Sequence, residues 1–77
     1  MLSFIYQLAR TFEQEHGYLP NLLYLNPRHY RALLSALPEE SDSESLRQRL
    51  GMEIVLTDEV VHPHVAWTRL AQRRAAG

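Results

Sequence analysis

Hydrophobic and polar positions alternate along this chain in two periods. Ile5, Leu8, Ala9 and Phe12 fall at i, i+3, i+4 and i+7, which is one face of an amphipathic helix. The helix is expected from about Ser3 to His16, with Gly17 as its left-handed stop and Pro20 just beyond. Leu22–Leu25 is a continuous apolar run between Pro20-Asn21 and Asn26-Pro27. Its length and its punctuation favour a buried strand over a helix fragment. Asn26 can cap a following helix with its side-chain oxygen, and Pro27 suits the first helical position because its missing N–H has no partner there anyway. Tyr30, Leu33, Leu34 and Leu37 then form a second apolar stripe, ended by Pro38.

The next segment, 38–45, is polar and rich in turn formers. Ser41 and Glu44 fit a capping box for a short third helix, with Leu46 and Leu50 on one face and Gly51 as its stop. From Met52 to Thr57 the period changes to two. Met52, Ile54 and Leu56 point one way, and Glu53, Val55 and Thr57 the other, as in a strand. Asp58-Glu59 can turn the chain, and Val60 and Val61 are expected to pack as a loop. A last strand is expected over roughly His64–Thr68, with Val65 and Trp67 on one side. Trp67, Leu70, Ala71 and Arg74 also fit a helical face, and the strand is preferred. Residues 71–77 are expected to fray.

These elements, in the order α-β-α-α-β-β, describe an α/β (α+β) two-layer sandwich: a small three-stranded mixed sheet with helices on one face. The first two strands are joined through helices, which favours a parallel pair with a right-handed crossover. The third follows by a short loop and should run antiparallel to the second.

A chain of 77 residues makes one domain, 1–77, with a modest core. It has no cysteine, which excludes disulfides and thiolate metal sites. Neither a signal peptide nor a membrane-length apolar run is evident, so a cytoplasmic protein is expected, with no membrane partner. The net charge of −1 argues against a nucleic-acid partner. All basic residues are arginine, which reads as compositional bias. Glu39, Glu40, Asp42 and Glu44 form an acidic cluster that reads as a solvated loop with favourable charge at a helix start.

A small sheet covered on one face leaves large apolar side chains open: either Leu22 and Tyr24 or Leu23 and Leu25, with Val55 beside them. Soluble monomers tend to avoid such patches, so self-association as a homodimer is expected, with Tyr24, Val55 and Trp67 as candidate interface residues. The competing expectation is that the first helix and the Val60–Val61 loop cover both faces.

The cluster nearest to a chemical site is Asp58-Glu59-Val-Val-His62-Pro-His64. His62 and His64, two apart on extended chain, project to one side, and Asp58, Glu59 or His29 could complete an open zinc site. The plainer reading is a surface loop with a histidine bonded to a turn carboxylate. Arg28, His29 and Arg31 place positive charge at a helix start, against the dipole preference. They could mark an anion-binding end, and pairing with Glu53 or Asp58 is preferred. No catalytic motif and no cofactor motif stands at a recognisable spacing, so the chain reads as non-catalytic, with no cofactor assigned.

Leu25-Asn26-Pro27, the leucines after Tyr30, Leu50-Gly51-Met-Glu-Ile-Val55, Thr57-Asp58 and Pro63 together resemble a segment of the major capsid proteins of tailed phages and their encapsulin relatives. The likeness runs from Leu22 to Ala66 and suggests a bacterial or phage-like source. It implies a similar strand–helix–strand topology, without the shell-forming role, because the long arm and the rest of the shell domain have no counterpart among these residues.

Overall fold

The structure, a computed structural model, describes residues 1–37 and 42–76. Seven elements follow one another: helix α1 (Leu2–His16), strand β1 (Leu22–Leu25), helices α2 (Pro27–Ser35) and α3 (Ser43–Leu50), strands β2 (Glu53–Leu56) and β3 (His64–Ala66), and helix α4 (Arg69–Ala76). The sheet order is β2-β1-β3. β1 pairs in parallel with β2, Leu23 opposite Ile54, and antiparallel with β3, Leu23 opposite Val65. The expected α+β architecture with a mixed three-stranded sheet is therefore present.

Local chemistry sets the boundaries. At the end of α1, Gly17 takes φ 85° and its N–H donates to the Glu13 carbonyl at 2.7 Å, a left-handed cap. Asn26 caps α2: its Oδ1 accepts from the His29 N–H at 2.8 Å, and the His29 ring Nδ1 accepts from the Asn26 N–H at 3.4 Å. Both halves of a capping box are thus present, with an imidazole where glutamate is usual. The helix tightens before Leu37, where the Ala36 and Leu37 N–H groups reach back only three residues.

Leu23 and Leu25 occupy the middle of the core with Ile5 of α1, Leu33 of α2, Leu46 of α3 and Met52. Tyr30, Leu34, Ile54 and Val65 pack around them half-buried. The first three helices therefore lie on the face of the sheet that carries Leu23, Ile54 and Val65. Burying the Leu23 side chain alone contributes about 2 kcal/mol.

The structure departs from the expected reading in four places. β3 runs antiparallel to β2 but bonds to β1, so the β2–β3 connection crosses the sheet rather than forming a hairpin. β3 stops at Ala66, and the stretch expected to fray is helical: Thr68 caps α4, its Oγ1 accepting from the Ala71 N–H at 3.1 Å. Helix α3 starts one residue later than expected, with Asp42 as its cap, its Oδ1 accepting from the Ser45 N–H at 2.9 Å. Ser41 lies outside the described residues. Finally, Glu53 pairs with Arg47 of α3 at 3.1 Å rather than with the arginines of α2.

Candidate functional site

The pleat divides the sheet residues between two faces. Opposite the helical layer lie Leu22 and Tyr24 of β1, Glu53 and Val55 of β2, and His64 and Ala66 of β3. Tyr24 stands directly opposite Val55 on one side and His64 on the other. Tyr24 is half-buried, Val55 is 36% exposed and His64 is exposed. With Thr57, Glu59 and Val60 they line a shallow depression.

Two asparagines, one at each end of β1, hold the frame of this face. Asn21 is buried. Its Nδ2 donates to the Thr68 carbonyl at 2.9 Å, and its Oδ1 accepts from the Thr68 N–H at 2.9 Å. Its own N–H donates to Ala66, and its carbonyl accepts from Glu53, so one residue fastens both outer strands and the start of α4 to β1. At the other end, Asn26 caps α2 with its oxygen and donates Nδ2 to the Val60 carbonyl at 3.1 Å. That bond fixes the loop at the rim of the depression. The Leu22 end of the face is closed: Leu22 is buried, and Glu53 is engaged by Arg47, which also pairs with Glu44 at 2.7 Å. The hydrogen bond from Glu44, helped by its charge and that of Glu53, raises the Arg47 guanidinium above its ordinary value. The open part of the face is thus the Tyr24–Val55–His64 row.

The three candidate interface residues do not form one cluster. Tyr24 and Val55 are cross-strand neighbours. Trp67 instead stacks edge-on against Tyr18, ring centroids 5.8 Å apart, and Tyr18 stacks in turn on Phe12 of α1. His16 joins this aromatic row, 4.2 Å from Phe12. It ties the end of α1 to the end of β3, a structural contact rather than part of the open face.

The histidine candidates separate too. His64 lines the depression with Tyr24. His62 is exposed. Asp58 lies across a second hollow from His29, beside Arg28 and Arg31. Among the described residues no group of three histidine, aspartate or glutamate side chains is placed to hold a metal ion. His29 also spends Nδ1 on its cap. Among the described residues Arg28 and Arg31 form no ion pair.

Sequence reasoning did not find Leu56. Its alternation with Ile54 is correct, yet Leu56 is 49% exposed at the end of β2, where the helical layer no longer covers it. Among the described residues no helix is long and apolar enough to cross a membrane. Comparison with models of protein families, with curated proteins and with solved structures finds no match to this chain.

Proposed function

We propose that this chain is a non-catalytic protein-binding domain whose partner is a second copy of itself, and that the contact surface centres on Tyr24 and Val55. One observation carries the reading. The Tyr24–Val55–His64 row lies side by side on a sheet face opposite the three core helices, and Val55 remains 36% exposed there. Exposed apolar groups set in a rigid sheet offer a contact surface that needs little ordering on binding. A zinc-binding reading through Asp58, His62 and His64 lacks the third ligand, and the first reading is preferred for that reason. The likeness to capsid and encapsulin segments enters as local topology, and a cytoplasmic setting goes with the reading.

Val55→Glu tests it. The substitution puts a carboxylate on the contact surface of both copies, where like charges repel and lose hydration. In sedimentation equilibrium the natural chain is expected at twice its 9.0 kDa mass. The variant is expected at the single mass, with an unchanged far-ultraviolet circular dichroism spectrum. A natural chain that sediments as a single 9.0 kDa species at every concentration defeats the proposal, as does a Val55→Glu variant that stays associated.

A further inference from the structure

The direction of the backbone groups along β2 says how two copies would join. The Glu53 N–H donates to the Asn21 carbonyl and the Thr57 N–H to the Leu25 carbonyl, both on β1. Along a strand successive N–H and C=O groups alternate sides. Glu53, Val55 and Thr57 therefore spend their backbone groups on β1, and Ile54 and Leu56 aim theirs away from it. β2 is an outer strand, and among the described residues nothing pairs with that side.

Outer strands are ordinarily blunted by shortness, proline, lysine or a bulge. β3, the other outer strand, is blunted in this way: it has three residues and follows directly on the buried Pro63. β2 carries no such device. Its sequence is Glu-Ile-Val-Leu, and its one charge, Glu53, is already paired with Arg47. Leu56 and Val55 stand exposed beside the free backbone groups.

We propose that β2 pairs antiparallel with β2 of a second copy about a two-fold axis at Val55, joining the two sheets into one. This rests on the self-association reading above and specifies its geometry. The side chains select the register. With the axis at Val55, Ile54 faces Leu56 of the second copy as a hydrogen-bonded pair, and the symmetry repeats that pair. Leu56 gains an apolar neighbour on the helical face. Val55 meets Val55 of the second copy on the open face, and Glu53 meets Thr57. A shift by one residue to an axis at Ile54 would set Glu53 against Val55. A shift to an axis at Glu53 would set two carboxylates against each other, which is unfavourable. An axis at Leu56 would set Ile54 against Asp58. Only the Val55-centred register matches apolar with apolar and polar with polar across all these pairs. A closed two-fold contact of this kind uses up both free edges and does not propagate.

The chain has no cysteine, so a single introduced thiol reports the register. Val55 in this arrangement is a non-hydrogen-bonded pair with itself, whose β-carbons lie close enough for a disulfide. Val55→Cys is expected to form a covalent dimer on mild oxidation at micromolar concentration. Tyr24→Cys is expected to remain uncrosslinked, because three strand spacings, roughly 14 Å, separate the two copies of that position. Leu56→Pro removes one outward N–H and no bond to β1. It is expected to abolish both the dimer and, combined with Val55→Cys, the crosslink. If the natural chain is monomeric, this inference and the reading beneath it both fall. If it is dimeric and sensitive to Val55→Glu, but Tyr24→Cys crosslinks and Val55→Cys does not, the copies meet face to face and the edge pairing alone is overturned. Should Leu56→Pro fail to fold, the two cysteine variants decide the matter by themselves.

Discussion

Asn21 does more for this fold than any other polar residue. Its buried amide meets both backbone groups of Thr68, while its own backbone bridges β2 and β3. Asn21→Ala would leave a part-buried N–H and C=O without partners, which costs about 2–3 kcal/mol. Urea denaturation followed by tryptophan fluorescence measures it, since Trp67 adjoins Thr68; a loss below about 0.5 kcal/mol would show that water replaces the amide. Sequence reasoning saw Asn21 only as punctuation before a strand. A lone asparagine carries no sign of which distant backbone it will meet, and Thr68 is 47 residues away. Asn26 was readable because its partner is local, three residues on. The same contrast holds for the site: Tyr24 and Val55 were legible from alternation, whereas the placement of Trp67 on Tyr18 depends on how α1 meets β3.

At the scale of elements, helix ends carry most of the local information. Gly17 and Gly51 both take positive φ, 85° and 70°, at the points where the apolar stripes stop. The cap of α3 is the pH-sensitive one. The Ser45 backbone N–H, bonded to the Asp42 carboxylate, holds that group below its ordinary value of 3.8. A carboxyl whose pKa is lower in the folded chain than in the unfolded one adds stability above its unfolded value and loses it as pH falls through the folded value. Melting temperature is therefore expected to fall with acidification below about pH 4 less steeply in Asp42→Asn than in the natural chain, because the amide caps without titrating. Identical acid profiles for the two would show that the cap does not contribute. Helix α4 went unread because Thr68 lies at the end of an alternating stretch. A threonine there serves a strand or a cap equally well, and the good helix formers after it decide the outcome only with the hydrogen bond from Ala71.

Across the whole molecule, the order β2-β1-β3 is what makes a contact surface possible. Had β3 paired with β2 as the short connection suggests, β2 would be an inner strand with no free edge, and β1 would be outermost. Local pattern does not reveal this, because strand order depends on where the helices leave room. With β1 central, its two asparagines tie both neighbours in place, and the Tyr24–Val55 row ends at an unblunted strand. Chain length sets the context: a domain of 77 residues gains little from its own core, and added burial between copies is a common remedy. Stability is accordingly expected to rise with protein concentration, as linkage requires when only the folded state associates.

Amide hydrogen exchange along β2, followed residue by residue over a range of protein concentrations, tests this most directly. The amides of Val55 and Thr57, bonded within the sheet, should be protected at every concentration. Those of Ile54 and Leu56 should exchange quickly in dilute solution and become protected as copies pair. Exchange at Ile54 and Leu56 that stays fast up to millimolar protein, or Val55 and Thr57 amides that are never protected, would contradict the account.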